Sequence, residues 1–371
     1  MLKVLTLVGT RPELIKLSLV IAELDRHVEH VLVHSGQNYD FELNEVFFRD
    51  LAIRKPDHFL EAAGATVAET IARIIERFDK VLEAEQPDAL LVLGDTNSCL
   101  GVIAAKRRKI PIFHMEAGNR CFDFRVPEEI NRRIVDHVSD INLVYTEHAR
   151  RYLLAEGMRA DMVIKTGSPM REVLSTFSQG IEQSDVLTRL DLVRGDFFIV
   201  SAHREENVDV PERLQMLIDT LVVLASTFGK RVLFSVHPRT RVRMASFGIA
   251  VPASVEFLTP LGFFDYIKLQ TEAFCTVSDS GTITEESAIL GFPAITVREA
   301  HERPEGMDEG TLIMSRLEAD RVIQAVKVVT SQATGGMRAP VDYDATNVSQ
   351  KVVRLILSYT DFVRRTVWRQ Q

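Results

Sequence analysis

Three acidic residues stand where a carboxylate could exchange protons with a ligand. Asp95 ends an apolar segment, Glu116 follows the next one, and Glu128 lies in the first turn of a helix that Pro127 would begin. Asp95 is equally well explained as the N-cap of the following helix. An exposed ion pair with Arg132, one helical turn away, would account for Glu128 but not for Glu116. Carboxylates that converge on one sheet edge predict general acid and base chemistry.

Four basic residues follow other apolar segments and suggest a bound anion. Arg11 and Lys16 come after the first segment, and His203 and His237 follow two segments in the second half of the chain. Cations beside a backbone turn suit a phosphate, although a histidine in such a position can also be purely structural. The turn at 9–13 lacks the GxGxxG pattern, so the sequence predicts no bound nicotinamide dinucleotide.

The segment 274–297 has the pattern strand, turn, helix and strand, which can form a phosphate site. At the turn, the backbone amides of Gly281 and Thr282 would face outward at the positive end of the helix dipole and could hold phosphate oxygens. Glu286, one helical turn further along, could accept hydrogen bonds from a ribose diol. In the alternative interpretation, Ser280 only caps the helix and the acidic residues of the helix are solvated.

Alternating strands and helices must position these residues. The first half shows short strands that are apolar on both faces, as in a covered parallel sheet, at 4–8, 30–34, 89–93, 112–115 and 141–144. The same alternation begins again near residue 196. We therefore predict an α/β fold with two Rossmann-like doubly wound domains that face each other across a cleft. Their expected ranges are 1–167 for the acid/base side and 168–347 for the nucleotide side, with a last helix at 348–371 that packs back on the first domain.

Composition excludes several classes of protein. A chain of 371 residues with a net charge of −8 argues against a nucleic-acid surface, and its short basic runs at 106–109 and 364–365 are interpreted as solvated helix ends. Its three cysteines are too widely spaced for a zinc site or a disulfide framework. The sequence opens directly on a predicted strand and has no apolar run near 20 residues, so we expect a cytoplasmic protein without a signal peptide, metal or membrane contact.

Seven spaced motifs together resemble the non-hydrolysing UDP-N-acetylglucosamine 2-epimerase family, and the resemblance spans nearly the whole chain. The motifs are Gly9-Thr10-Arg11-Pro12-Glu13 with Lys16, Gly94-Asp95-Thr96, Glu116-Ala117-Gly118, Pro127-Glu128-Glu129 with Asn131-Arg132, His203-Arg204-Glu205, Asp279-Ser280-Gly281 with Glu285-Glu286, and Glu302-Arg303-Pro304-Glu305.

The resemblance implies a role for each group of residues. Asp95, Glu116 and Glu128 would supply the acid/base groups, assisted by Lys16 and His203. The UDP-sugar would be bound by a second set: Arg11, Arg132, His237, Ser280, Gly281, Glu286 and Arg303. The resemblance further implies a GT-B-like arrangement of the two domains, a homodimer, and no cofactor.

The chemistry of the reaction is consistent with these residue types. C2 of an N-acetylhexosamine is not next to a carbonyl group, so its proton is scarcely acidic, and inversion needs either oxidation of a neighbouring carbon or elimination of the C1 substituent. Without a dinucleotide turn, elimination is left. UDP would leave C1 as C2 loses its proton, and UDP would add again to the 2-acetamidoglycal after a proton arrives on the other face. Carboxylates beside the sugar and cations around the diphosphate are the groups that such a path requires.

Several features resemble one branch of the family, the UDP-N-acetyl-L-fucosamine synthases, which invert C2 of a UDP-2-acetamido-2,6-dideoxy-L-talose for capsule or O-antigen polysaccharide. They are Gly36-Gln37-Asn38-Tyr39-Asp40, Asn119, His301 and the segments 200–208 and 359–363. A UDP-GlcNAc/UDP-ManNAc 2-epimerase is the alternative within the family. Three other functions are alternatives to both: a retaining glycosyltransferase of GT-B type, a hydrolysing epimerase and a catalytically silent nucleotide-sugar sensor.

Overall fold

The protein consists of two compact units. The structure, a computed structural model, describes residues 1–37, 41–332 and 337–369, and in this part of the chain unit 1 comprises Met1–Thr176 with Val341–Gln371, while unit 2 is Phe177–Pro340. The first boundary between the units follows Thr176, nine residues after the predicted domain boundary at 167. The difference arises because a helix at Met170–Thr176 packs against the first helix of unit 1, Arg11–His27. The second boundary lies before the predicted position of 347, because the turn Val341–Tyr343 is bonded to unit 1.

The sheet of unit 1 is parallel. Its strands, as far as the chain is described, are β1 (Lys3–Val8), β2 (Glu29–His34), β3 (His58–Phe59), β4 (Ala89–Leu93), β5 (Ile112–Met115), β6 (Ile141–Val144) and β7 (Val163–Lys165). They are arranged in the order β3-β2-β1-β4-β5-β6-β7, with Val4 of β1 opposite His30 on one side and Ala89 on the other. Chain order therefore reverses between β1 and β4, and the loops that follow these two strands diverge to leave a crevice at their carboxyl ends.

Helices cover both faces of this sheet. They are α1 (Arg11–His27), α2 (Phe41–Asp50), α3 (Val67–Glu85), α4 (Val102–Arg107), α5 (Pro127–Val138), α6 (Glu147–Ala155) and α7 (Met170–Thr176). Helix α3 shows why the sequence folds this way. The Thr66 hydroxyl accepts a hydrogen bond from the backbone N–H of Glu69 (3.1 Å) and fixes the start of the helix. Ile74, Phe78 and Leu82 recur at helical spacing and are buried against the sheet.

Unit 2 repeats the architecture with a second parallel sheet. Within the described residues, its strands are β8 (Phe197–Ser201), β9 (Arg231–Ser235), β10 (Val255–Leu258), β11 (Cys275–Ser278), β12 (Ala294–Thr296) and β13 (Ile313–Met314), in the order β10-β9-β8-β11-β12-β13. Its helices are α8 (Ser178–Glu182), α9 (Val186–Arg189), α10 (Glu205–Val208), α11 (Pro211–Phe228), α12 (Pro238–Phe247), α13 (Phe263–Glu272), α14 (Ile283–Leu290), α15 (Pro304–Asp308) and α16 (Ala319–Ser331). Here the chain order reverses between β8 and β11.

The last helix, α17 (Val348–Thr366), belongs to unit 1 and packs against α1. Val352, Ile356 and Val363 form its buried stripe. Both sheets are parallel and covered by helices, so the predicted fold class, two Rossmann-like α/β domains, is confirmed. Among the described residues, every helix is too short or too polar to cross a membrane.

Candidate functional site

The predicted site residues follow the strands at which chain order reverses in each unit. In unit 1, Arg11 and Asp95 follow β1 and β4, and Glu116 follows the neighbouring β5. In unit 2, His203 and Ser280 follow β8 and β11. Ligands of open α/β sheets bind at such reversal points. The predicted residues therefore lie where a ligand of each sheet would be expected, and their contact with a ligand stays a prediction.

The carboxylates of unit 1 lie close enough to influence one another. The Asp95 side chain is only 22% exposed, and Arg132 donates to its Oδ2 through Nε (3.0 Å) and Nη2 (2.5 Å). Burial raises the pKa of Asp95, the Arg132 guanidinium lowers that pKa, and the negative charges of Glu128 and Glu116 raise it further. The three predicted acid/base residues are thus brought into one cluster, in which charge on one carboxylate disfavours charge on the next.

Glu116 is held in an unusual backbone conformation at the end of β5. Its φ of +63° lies in the left-handed region, which costs a non-glycine residue about 1–3 kcal/mol and persists only where the surroundings enforce it. The buried Lys16 of α1 donates to Glu116 Oε2, and the Lys16 ammonium lies 5.7 Å from the centre of the Tyr145 ring. Glu116 and Lys16 are therefore joined as an ion pair, as their proposed cooperation requires.

Arg132 is buried, so the alternative interpretation of an exposed ion pair at this position is wrong. Besides Asp95, it donates to Glu129 (3.1 Å), one turn earlier in α5, and it is buried instead of facing solvent in a surface ion pair. Glu129 is fully buried and also accepts from the backbone N–H of Cys121 (3.0 Å). Sequence reasoning missed Glu129, although its spacing of three residues from Arg132 was a usable signal. The contact of Arg132 with UDP stays a prediction.

Asp279 holds together the two loops of unit 2 that carry predicted site residues. This buried carboxylate accepts hydrogen bonds from the backbone N–H groups of His203 (3.0 Å) and Arg204 (2.9 Å) and from the Asn207 amide (3.1 Å). It therefore ties the loop after β8 to the loop after β11. Asp279 was not among the predicted site residues, although it directly follows a buried strand, as Asp95 does.

The two predicted histidines of unit 2 lie together. The rings of His203 and His237 are stacked with their centres 5.7 Å apart, and His203 Nδ1 lies 3.5 Å from Asp279 Oδ1. His237 is the N-cap of α12, where its Nδ1 accepts from the backbone N–H of Arg239 (3.2 Å). The structure therefore gives His237 a local structural role in addition to its predicted role in binding.

The turn after β11 forms one residue later than expected. Helix α14 begins at Ile283, with Thr282 as its N-cap, and the Ser280 hydroxyl lies 3.0 Å from that of Thr282. A Cβ atom at Gly281 would lie 2.5 Å from Glu302 Oε1, so any other residue here would displace the Glu302 carboxylate. Ser280 and Gly281 thus stand at the start of α14, as the phosphate site requires.

The acidic residues of α14 are not solvated, so the alternative interpretation of this helix is wrong. Glu286 is buried and accepts from the Gln270 amide (2.8 Å). Glu285 is also buried, 3.2 Å from the guanidinium of the predicted ligand-binding residue Arg303. These contacts fix the orientation of Glu286 and Arg303 before any ligand arrives.

Arg11, a further predicted site residue, is the first residue of α1. The Arg11 guanidinium lies 5.5 Å from the centre of the Phe47 ring, which orients it by a cation–π contact. Of the motif at 36–40, the residues Asn38, Tyr39 and Asp40 fall outside the described part of the chain. In the described ranges, no group of three or more His, Cys, Asp or Glu side chains is arranged to hold a metal ion.

Comparison with known proteins identifies the family to which this geometry belongs. The sequence model of the UDP-N-acetylglucosamine 2-epimerase family matches residues 22–357. A UDP-2,3-diacetamido-2,3-dideoxy-D-glucuronate 2-epimerase of Pseudomonas aeruginosa is 33% identical over 331 residues, covering 88% of this chain and 92% of the relative. The chain belongs to the UDP-N-acetylglucosamine 2-epimerase family. It is therefore an enzyme of the isomerase class.

Solved structures of members of this family superpose on the whole chain. The UDP-N-acetylglucosamine 2-epimerase of Rickettsia bellii is 53% identical, with a TM-score of 0.92 and complete coverage of both chains (100% and 100%). The UDP-GlcNAc 2-epimerase of Methanocaldococcus jannaschii, in complex with UDP-GlcNAc and UDP, is 31% identical, with a TM-score of 0.91 and coverage of 96% of this chain and 100% of that one. A lipopolysaccharide outer core galactosyltransferase, 14% identical at a TM-score of 0.51 with coverage of 96% and 99%, shares the fold alone. The predicted GT-B-like fold of the epimerase is thereby confirmed.

Proposed function

We propose that this family member is a non-hydrolysing UDP-N-acetylhexosamine 2-epimerase that works by eliminating UDP and adding it again. The observation that carries the proposal is the carboxylate cluster of Asp95, Glu116 and Glu128 beside the Lys16 ammonium, at the carboxyl ends of β4 and β5. A cluster of this kind can remove a proton from C2 and return one, since acids and bases in contact can hold different protonation states at one pH.

The roles of the unit 1 residues follow from their charges. Asp95, Glu116 and Glu128 supply the base that takes the C2 proton and the acid that delivers a new one to the other face. Lys16 compensates the charge of Glu116, and Arg132 that of Asp95. Proton transfer by a positioned side chain contributes roughly 10²–10⁴-fold to a rate, which is the contribution that we assign to the cluster.

The residues of unit 2 are suited to a nucleotide. We assign Ser280, Gly281 and the start of α14 to the diphosphate, with His203 and His237 as further donors, and Glu286 to the ribose hydroxyls. Arg11, Arg132 and Arg303 are the other residues that we propose to bind UDP. Cations that stabilise the departing diphosphate lower the barrier to elimination, by ~3 kcal/mol for each well-placed group.

For the sugar, we propose UDP-2-acetamido-2,6-dideoxy-L-talose, with UDP-N-acetyl-L-fucosamine as the product, made in the cytoplasm for a capsule or O-antigen polysaccharide. Support comes from the branch motifs, including Asn119 and His301, which the structure places after β5 and between β12 and α15. The P. aeruginosa relative is named for yet another 2-acetamido sugar, so substitution of the sugar varies within the family. UDP-GlcNAc is the second candidate, favoured by the 53% identity to the R. bellii protein named for it.

A single set of reactions in deuterated water tests the mechanism and the substrate together. The enzyme is incubated with UDP-GlcNAc and, separately, with the UDP-L-talosamine derivative, and the C2 signals are followed by proton NMR. We expect deuterium at C2 of the epimerised product, because the abstracted proton exchanges with solvent, and faster turnover of the L-sugar. Unlabelled product would contradict elimination through a glycal, and faster turnover of UDP-GlcNAc would assign the second candidate.

Additional assays on the same enzyme and substrates distinguish the epimerase from the other candidate functions. Release of UDP with free sugar, measured by a phosphatase-coupled assay, would indicate a hydrolysing epimerase. Transfer of the sugar to an added acceptor without free epimer would indicate a glycosyltransferase of the same fold. Binding of UDP-sugar without turnover or exchange would indicate a sensor.

We also propose that the enzyme is a homodimer that associates through unit 1. Ile130 and Ile134 lie four residues apart on one face of α5 and are 47% and 38% exposed, and the preceding loop exposes Phe122 and Phe124. Sedimentation velocity should show a dimer for the wild type and a monomer for the double variant Ile130→Glu/Ile134→Glu. The control Val193→Glu, at an exposed apolar residue of unit 2, should remain dimeric. A monomeric wild type would contradict the proposal.

A further inference from the structure

Glu13 is a buried carboxylate that the proposed mechanism does not use. It lies in the first turn of α1, is only 2% exposed, and stands where β1 and β4 end side by side. A buried carboxylate needs hydrogen-bond donors to be tolerated, so its partners indicate what it does.

The two oxygens of Glu13 bind two different loops. Oε2 accepts from the backbone N–H groups of Gly9 and Thr10 (3.1 Å to Thr10), which precede Arg11 in the loop after β1. Oε1 accepts from the Thr96 hydroxyl (2.5 Å), the residue that follows Asp95 in the loop after β4. One side chain therefore connects the turn that leads into Arg11 at the start of α1 to the loop that carries Asp95, across a sequence separation of 83 residues.

The loop after β1 has little freedom to move away from this contact. A Cβ atom at Gly9 would lie 1.9 Å from the Ser98 hydroxyl oxygen and 2.3 Å from that of Ser35, and these two hydroxyls are themselves 2.7 Å apart. Gly9 is thus closely packed on both sides. Because these hydroxyls fill the space beside it, a change in the hydrogen bonds of Glu13 should displace the neighbouring loops.

The charge of Glu13 is sensitive to pH in the working range of most enzymes. Burial raises the pKa of Glu13 to about 7, despite the hydrogen bonds from Thr96, Gly9 and Thr10, and the negative charge of Asp95 raises it further. The other titratable group that faces it is the thiol of Cys99, whose pKa burial also raises. Because Oε2 is occupied by two N–H donors, a proton would settle on Oε1, and the Thr96 hydroxyl would then have to accept instead of donate.

We propose that Glu13 is the positioning residue that fixes Asp95 and Arg11 relative to each other, through the bond of its carboxylate to Thr96. The inference rests on the proposed function, in which Asp95 exchanges protons with the sugar. Bonds to an ionised carboxylate are stronger than those to a neutral one, so the arrangement is tightest, and turnover fastest, when Glu13 is ionised.

The test compares variants of the full-length enzyme over pH 5.5 to 9. In the wild type, kcat/KM should rise through an ionisation near pH 7. In Glu13→Gln, which keeps an acceptor for the backbone and a donor for Thr96 without the charge, this rise should vanish. Thr96→Val removes the bond to Oε1 that carries the link, so the rise should vanish there as well, and Thr96→Ser should restore it. Glu13→Ala, which frees the loops, should lower kcat about 100-fold. The control Glu23→Gln, later on the same helix, should match the wild type.

A readout without substrate separates this inference from the proposed function. A group whose pKa is higher in the folded than in the unfolded state contributes stability at low pH that is lost as pH rises through the folded pKa. The melting temperature of the wild type should therefore fall relative to that of Glu13→Gln between about pH 5 and 7. If the rise in kcat/KM near pH 7 persists in Glu13→Gln, or if the two melting curves keep a constant separation, Glu13 does not have this role. If the wild type turns over no UDP-sugar, but its melting temperature falls relative to that of Glu13→Gln as expected, the proposed function fails and the role of Glu13 in linking the loops stands.

Discussion

Replacement of Glu116 by glutamine should lower kcat for C2 epimerisation by about 10³-fold, with little change in KM. The amide has the same shape but neither accepts the C2 proton nor compensates the Lys16 ammonium, to which Glu116 is joined. The backbone of Glu116 is left-handed, so its side chain is aimed by the end of β5 and not by a flexible loop. The measurement is exchange of the C2 proton in deuterated water, followed by NMR on substrate and product.

A matched control separates the loss of the carboxylate from any effect on folding. Glu61 is also a glutamate with a left-handed backbone, at φ +49°, but it is exposed, so Glu61→Gln should exchange C2 protons at the wild-type rate. Glu61→Gln should melt within about 2 °C of the wild type, since an isosteric change at an exposed site costs less than ~0.5 kcal/mol. Glu116→Gln removes the charge that faces the buried Lys16 ammonium and should melt at a lower temperature, so exchange is measured where both variants are folded. Exchange by Glu116→Gln within tenfold of the wild type would show that Glu116 does not transfer the proton.

The sequence allowed most of the fold to be predicted, because its strands are apolar on both faces and are bounded by turns. Strands β4, β5 and β6 have the predicted limits. The strands that escaped prediction are those at the sheet margins, such as β3 and β13 with two residues each, which are too short to show any periodicity.

Site residues could be proposed from the sequence where each directly follows a single apolar strand. Residues whose role depends on partners from two different strands could not. Asp95 and His203 were found because each follows an apolar strand. Glu13 and Asp279 were missed as organising residues, because their partners lie 83 and 76 residues away and become neighbours only through the strand order of the sheet. Arg132 was predicted to bind UDP, and its burial and its bonds to Asp95 and Glu129 depend on the packing of α5 and could not be read from helical spacing.

The largest expected effect on stability is that of Asp136→Ala, which should reduce the free energy of unfolding of unit 1 by about 3–5 kcal/mol. Asp136 is fully buried and accepts from Arg120 (2.7 Å), lies 2.9 Å from His114 Nδ1, and accepts from the backbone N–H of Gly118 (3.2 Å). Its removal leaves the buried guanidinium of Arg120 with Glu156 as its remaining carboxylate partner among those described. Because Gly118 lies two residues after Glu116, the loop that carries this proposed acid/base residue should loosen as well.

The single tryptophan of the chain allows the free energy of unfolding of unit 1 to be measured separately. Trp368 follows α17 and lies 5.3 Å, ring centre to ammonium, from Lys106, so its fluorescence during urea denaturation reports the unfolding of unit 1. The control is Asp79→Ala, which removes an equally well-formed pair with Arg108 (2.6 and 2.7 Å) that is exposed, and which should cost at most ~1 kcal/mol. The two pairs have the same chemistry and differ in burial, so equal losses would show that the Asp136 network does not hold the Glu116 loop. A loss several times larger for Asp136→Ala, accompanied by slower C2 exchange, would show that the stability of this core and the placement of the acid/base residue depend on the same buried charge.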